Sequence, residues 1–133
     1  MDTEIADAIP RSPVAVTVTA RGHRIVQDKP VASGGNDEGM MASELVLAGI
    51  LACQNSTFVK IAAKRKLAAV IRSLHGEMDF KDSDIAAIRV RFILDAGADA
   101  TDAAIETALR LTDKTCTISR VLKVPVHATF ARA

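Results

Sequence analysis

The chain has 133 residues, seventeen Lys and Arg against sixteen Asp and Glu, a formal net charge of +1, four Phe, and neither Trp nor Tyr. So even a charge balance offers no electrostatic footprint for nucleic acid or an acidic membrane surface, and the missing aromatics remove the usual base-stacking platforms. The length fits a single domain over residues 1–133; a chain this short buries only about two thirds of its unfolded surface alone, so part of its core is expected to need a partner chain.

The opening MDTEIADAIPRSP is acidic and proline-broken, with no basic or apolar region of the kind that builds a secretory signal. A cytoplasmic, reducing setting is therefore expected, in which two cysteines mean inert thiols, a metal site or redox chemistry before a permanent disulfide. Val14, Val16 and Val18 alternate with Ala15, Thr17 and Thr19, the period of a strand with one buried face. After the turn Arg21–Gly22, HRIVQDK completes a hairpin. PVASGGNDEG is too rich in Gly, Pro, Asn and Asp for a regular element and is expected to be an exposed loop, functional or mobile.

From about Met41 to Lys66 the composition is helical and ends on the cationic KRK. Its first half, ELVLAGILAC, is apolar almost all round and predicts a helix buried on every side. Its apolar run, Leu45 to Cys53, is much shorter than the about 20 residues that span a bilayer, so a soluble protein with no membrane partner is expected. VIRSLHGEMDF and AAIRVRFILDAG read as a second hairpin across KDSD, with Ile88, Val90 and Phe92 on one face and Arg89 and Arg91 on the other. ATDAAIETALRLTDK is an amphipathic helix capped by Thr101 or Asp102, TCTISRVLK is open between a short helix and a bend, and VPVHATF is a last strand. The order β-β-α-β-β-α-(α)-β argues an α+β fold with mostly antiparallel pairing.

Cys53 alone reads as a small hydrophobe in a packed helix. Against that stand Gln54, Asn55, Ser56 and Thr57, which bring amides and hydroxyls into a buried segment where polar groups must find partners. Thr57 lies one turn beyond Cys53, in position to donate to a thiolate. In LTDKTCTISR, Thr115 or Asp113 would cap a short helix and leave Cys116 in its first turn, with Lys114 and Arg120 nearby. A helix N-terminus lowers a thiol pKa, so Cys116 is expected to be the more acidic thiol and Cys53 the more secluded. Cys53, Cys116, His23, His75 and His127 show no metal-ligand spacing, and no metal is expected.

Taken together, GGNDEGMMASELVLAGILACQNSTFVKIAAKRK and DKTCTISRVLKVPV resemble the OsmC/Ohr family of osmotically induced and organic-hydroperoxide-resistance proteins. The OsmC-like branch reads GGxDxGPxPxELLLAALxAC with a later CxxxRxL. Glu44, Leu45, Leu47, Ala48, Leu51, Ala52, Cys53, Cys116, Arg120 and Leu122 stand where that pattern wants them. The resemblance implies an OsmC-like fold, with antiparallel sheets wrapped around long central helices in an intertwined homodimer. It also implies a thiol peroxidase in which Cys53 attacks an organic hydroperoxide and becomes a sulfenic acid. Cys116 then condenses with it, and an external lipoyl-type dithiol, not a bound cofactor, reduces the disulfide.

In the family's classical peroxidases an Arg of the first hairpin pairs with a helix-start Glu beside the thiolate. Here Arg21 and Arg24 are the candidates for that Arg, Ser43 stands where the Glu falls, and Met40 and Ala42 replace two prolines. Glu44 lies nine residues from Cys53, about 13.5 Å of helical rise. It would therefore act on the partner chain's thiolate, or else only satisfy amides or an Arg at the helix start. Two functions stay open: the peroxidase, and a non-catalytic dimer holding a small apolar or acyl ligand near Cys53. An inert dimer with two core thiols is the blandest reading.

Overall fold

The computed structural model describes residues 1–122 and 124–133, which cluster into two compact units, Met1–Val46 and Leu47–Ala133. In the first, strands β1 (Asp7–Pro10), β2 (Val16–Ala20) and β3 (His23–Gln27) form an antiparallel sheet in that order. The hairpin across Arg21–Gly22 is the one the sequence predicts, since Ala20 pairs with His23. Strand β1 is not: it is exposed along its length, with Pro10 at its end, so no apolar alternation marks it. Nor does β2 bury a single face, being half-buried throughout.

The loop after β3 is tightly wound. Asp28 is 1% exposed, and its carboxylate accepts hydrogen bonds from the backbone N–H of Lys29, Asn36 and Glu38 at 2.7, 3.1 and 3.1 Å. Those bonds, led by Lys29 and Glu38, hold the Asp28 carboxyl below the usual carboxylate range. A Cβ at Gly35 would run into the Lys29 carbonyl and the Asp28 carboxylate, so only glycine fits there. Within this loop Val31–Ser33 forms one 3-10 turn.

Helix α1 (Ala42–Lys64) begins at the end of the first unit and leads into the second. There β4 (Ala69–Lys81) and β5 (Asp84–Ala96) form the expected hairpin across Asp82–Ser83. Helices α2 (Asp102–Thr115) and α3 (Thr117–Val121) follow, then β6 (Val126–Arg132). The sheet order is β4-β5-β6, and β6 runs parallel to β5. The two helices cross the chain back over the sheet, so β6 enters from the same end as β5, where a tight hairpin would have reversed it.

Alternation on β5 sorts the sheet's faces. Ile88, Val90, Phe92 and Leu94 are fully buried and join Ile50, Phe58, Ile105, Ala108 and Leu109 in one core. On the opposite face Arg89 bridges Glu77 and Asp79, which lowers both carboxyls. Thr101 caps α2, its hydroxyl accepting the Ala104 N–H at 3.1 Å.

The buried positions of α1 are Ile50, Gln54, Phe58 and Ala62, a single stripe of four-residue steps. Phe58 meets Phe92 with ring centroids 5.3 Å apart. At Gly76 on β4, a Cβ would come within 3.0 Å of Leu47 and Leu51, so the missing side chain is what lets the helix settle on the sheet. The all-round burial expected of α1 is absent in the single chain. A second stripe of Val46, Gly49, Ala52, Ser56, Val59 and Ala63 is exposed. The whole helix, unlike the run Leu45–Cys53, is long and apolar enough to cross a membrane by length and composition alone.

Candidate functional site

Cys53 sits on α1 beside its buried stripe and is half-buried, whereas Cys116 is fully buried. Cys116 is at once the C-cap of α2 and the N-cap of α3, in an extended conformation that breaks one helix from the next. Its N–H donates to the Thr112 carbonyl at 2.8 Å, and its carbonyl accepts the Arg120 N–H at 3.1 Å. This corner turns the Cys116 thiol toward α1, where it donates to the Cys53 sulfur at 2.6 Å. Both are free thiols, since the separation exceeds the about 2.05 Å of a disulfide bond.

Thr57, one turn beyond Cys53 as its spacing predicts, places Oγ1 3.9 Å from the Cys53 sulfur. Burial pushes the Cys53 thiol up. The Cys116 thiol, the N–H of Ile118, the Thr57 hydroxyl and the N–H of Thr117 outweigh it and bring Cys53 below the ordinary cysteine value. Cys116 goes the other way: burial and its role as donor to Cys53 raise it, with only a partial offset from Ser119. The ranking expected from sequence is thus reversed. Cys116 is a cap, not a first-turn residue, and the helix end lends its amides to Cys53 instead.

Behind the thiols lies a polar node. Gln54 is fully buried, and its Nε2 donates to the Ser119 hydroxyl at 2.9 Å and to Asp113 Oδ1 at 3.4 Å. Its Oε1 has no partner among the described residues. A glutamine on the core stripe of a helix was the only sign of this node in the sequence. Nothing beyond its place three residues after Cys116 marked Ser119.

The remaining predicted residues lie as follows. Glu44 Oε2 accepts the Met41 N–H at 2.7 Å, an amide satisfied at the helix start. Arg21, in the β2–β3 turn, and Arg24, on β3, are exposed residues of the N-terminal unit, to which Glu44 also belongs. Arg120 is exposed on α3 and forms no ion pair among the described residues. Beside the thiols opens a cleft of about 520 Å³ whose walls include Thr57, Lys60, Ile61, Lys64, Thr115 and Thr117. The arrangement can hold a thiolate on the half-exposed Cys53 with a second thiol in contact, as closure of a disulfide through a sulfenic acid requires.

The solved structure of an OsmC-like protein from Mycoplasma pneumoniae superposes with a TM-score of 0.82 at 13% identity, over 99% of this chain and 98% of that one. An organic hydroperoxide resistance protein from Elizabethkingia anophelis gives 0.74 at 14%, over 100% and 98%. One from Legionella pneumophila gives 0.69 at 17%, again over 100% and 98%. At these identities the likeness shows the fold, a mixed α+β arrangement shared with OsmC-like structures. No curated protein sequence matches the chain. The family model described as OsmC-like protein matches residues 34–130, well over half the sequence and both cysteines, and the chain therefore belongs to the OsmC-like family.

Proposed function

We propose that the protein is a thiol peroxidase that reduces organic hydroperoxides, with Cys53 as nucleophile and Cys116 as resolving thiol. The observation that carries the reading is the 2.6 Å approach of the two sulfurs, with only Cys53 half-exposed. The Cys53 thiolate attacks the distal peroxide oxygen; an S–O bond forms, the O–O bond breaks, and the alkoxide leaves as alcohol after taking up a proton. Cys116 then attacks the sulfenic sulfur, forming the disulfide and releasing water, and an external lipoyl-type dithiol is oxidised as it returns both thiols.

Glu44 is engaged with the Met41 amide, so the lowering of Cys53 is assigned to Cys116, Ile118, Thr57 and Thr117. A guanidinium from Arg21 or Arg24, a contribution from Arg120, and Glu44 acting across a dimer are secondary parts of the proposal. The exposed stripe Val46, Gly49, Ala52, Ser56, Val59 and Ala63 supports a homodimer, because small residues let two helices approach closely. A helix seam between two chains also accounts for the apolar character of α1 in a soluble, cytoplasmic protein.

The test is to mix the reduced protein with an alkyl hydroperoxide and count thiols. Loss of both per chain, with one alcohol formed, is expected. Survival of both thiols in excess peroxide would overturn the proposal, and a small molecule retained through gentle purification would favour the alternative.

A further inference from the structure

Cys53 and Cys116 stand 63 positions apart in the chain, yet their sulfurs lie 2.6 Å from one another. Helical regularity does not bring Cys116 to that place. Its extended backbone breaks α2 from α3, and α3 has five residues, too few for a helix to hold by itself. Nor does apolar burial anchor the corner, since Thr117, Ile118, Arg120 and Val121 are exposed and Ser119 alone on α3 is half-buried.

The Gln54 side chain supplies the anchor. It follows Cys53 directly on α1, lies on the buried stripe of that helix and is fully buried. Its Nε2 donates to Ser119 Oγ at 2.9 Å and to Asp113 Oδ1 at 3.4 Å. Ser119 stands three residues after Cys116 and Asp113 three before it, so one amide group grips the chain on both sides of the thiol and of the helix break. Among the described residues these two bonds and the sulfur contact are the side-chain to side-chain hydrogen bonds that join α1 to the segment of α2 and α3. Stability does not account for a glutamine here. Its Oε1 is buried with no partner among the described residues, a cost that a leucine of similar bulk would avoid.

We propose that Gln54 is a positioning residue that grips Asp113 and Ser119 and so holds the resolving thiol of Cys116 within reach of Cys53. The inference rests on the peroxidase reading of the thiol pair. In the step it serves, the Cys116 sulfur bonds to the Cys53 sulfur, the S–O bond of the sulfenic acid breaks, and the hydroxide leaves with the Cys116 hydrogen as water. Gln54 takes part in none of these bond changes. It fixes the distance across which they occur, and a misplacement of about 1 Å in such a contact slows a reaction on the order of a hundredfold.

Two measurements on the full chain test it. The first equilibrates the thiol pair with reduced and oxidised dithiothreitol, without peroxide. Gln54→Leu, which keeps the bulk and removes the amide, should lower the equilibrium constant for the Cys53–Cys116 disulfide about tenfold, equivalent to about 30 mV. Ser119→Ala should lower it too, and Ser119→Thr, which keeps the hydroxyl, should restore it. Gln54→Leu combined with Ser119→Ala should be no worse than Gln54→Leu alone, because both cut the same bond. A merely structural glutamine would shift the unfolding midpoints of the reduced and oxidised forms alike and leave this equilibrium where it is. An unmoved equilibrium in Gln54→Leu would overturn the inference.

The second measurement follows single turnovers with an alkyl hydroperoxide and reads sulfenic acid formation and disulfide formation separately. The ratio of the second rate to the first should fall about tenfold in Gln54→Leu, with more sulfinic acid on Cys53. A ratio equal to that of the native protein would likewise overturn the inference. A native protein that forms no sulfenic acid would overturn the peroxidase reading instead, and the dithiothreitol equilibrium would still decide whether Gln54 holds the pair together.

Discussion

Replacing Gln54 by Leu measures what its two hydrogen bonds and its unpartnered oxygen contribute to stability. The substitution keeps most of the buried bulk and removes the amide. It loses the 2.9 Å bond to Ser119, about 1 kcal/mol, and the 3.4 Å bond to Asp113, about 0.5 kcal/mol at so long a distance. It also deletes Oε1, and removing a buried acceptor without a partner relieves about 1–3 kcal/mol. The balance runs from about 0.5 kcal/mol destabilised to about 1.5 kcal/mol stabilised. For a domain of this size 1 kcal/mol moves the midpoint by about 4 °C, so the expected Tm change lies between about −2 and +6 °C. Denaturant unfolding at fixed protein concentration measures it, the concentration being held because dimerisation would shift the midpoint. A loss beyond about 2 kcal/mol would refute the reasoning, since it would mean that Oε1 has a partner and that the node is built for stability.

Because the Cys53 thiol is lowered, its alkylation should persist below the pH range of an ordinary cysteine and fail only as pH drops through the lowered folded value. Cys116→Ala, which removes the largest of the lowering influences, should shift that alkylation profile back up, whereas Cys116→Ser, which keeps a donor, should shift it less. The Asp28 carboxyl is lowered by folding, so its stabilisation is full above the ordinary carboxylate range and lost as pH falls through the folded value. Asp28→Asn at neutral pH should therefore make residues 28–38 as sensitive to limited proteolysis as acidified native protein. In the proposed homodimer, Ala52→Arg in the exposed stripe of α1 should yield a monomer by analytical ultracentrifugation where the native protein sediments as a dimer, and a variant that sediments as the native protein does would overturn that seam.

Periodicity made most of the fold legible: two hairpins, the long helix and the amphipathic α2 all lie where residue patterns place them. What it missed depends on tertiary placement. Strand β1 is exposed on both faces and so carries no apolar alternation, and β6 is parallel because of where α2 and α3 deliver the chain, which local propensity does not encode. The apolar surround of ELVLAGILAC predicts burial on every side, yet a single chain covers only the stripe of Ile50, Gln54, Phe58 and Ala62. Sequence shows that a surface is apolar, not what covers it. Spacing leaves the two cysteines open between core thiols and a reactive pair, their pairing being only what the family resemblance implies, and burial of Cys116 follows from contacts among α1, α2 and α3 that spacing does not reveal.

The polarity of the thiol pair follows from the burial of Cys116, the contact of the two sulfurs and the amides at the start of α3. Burial alone would raise both thiols and leave neither reactive. The contact with Cys116 lowers the half-exposed Cys53 sulfur and raises the hidden one, so the thiol that ionises more readily is the one open to solvent. The Cys53 thiol also draws on the amides of Thr117 and Ile118 at the start of α3. The five-residue helix at this broken corner therefore bears on Cys53, and the buried, half-satisfied Gln54 ties that corner to the helix that carries it.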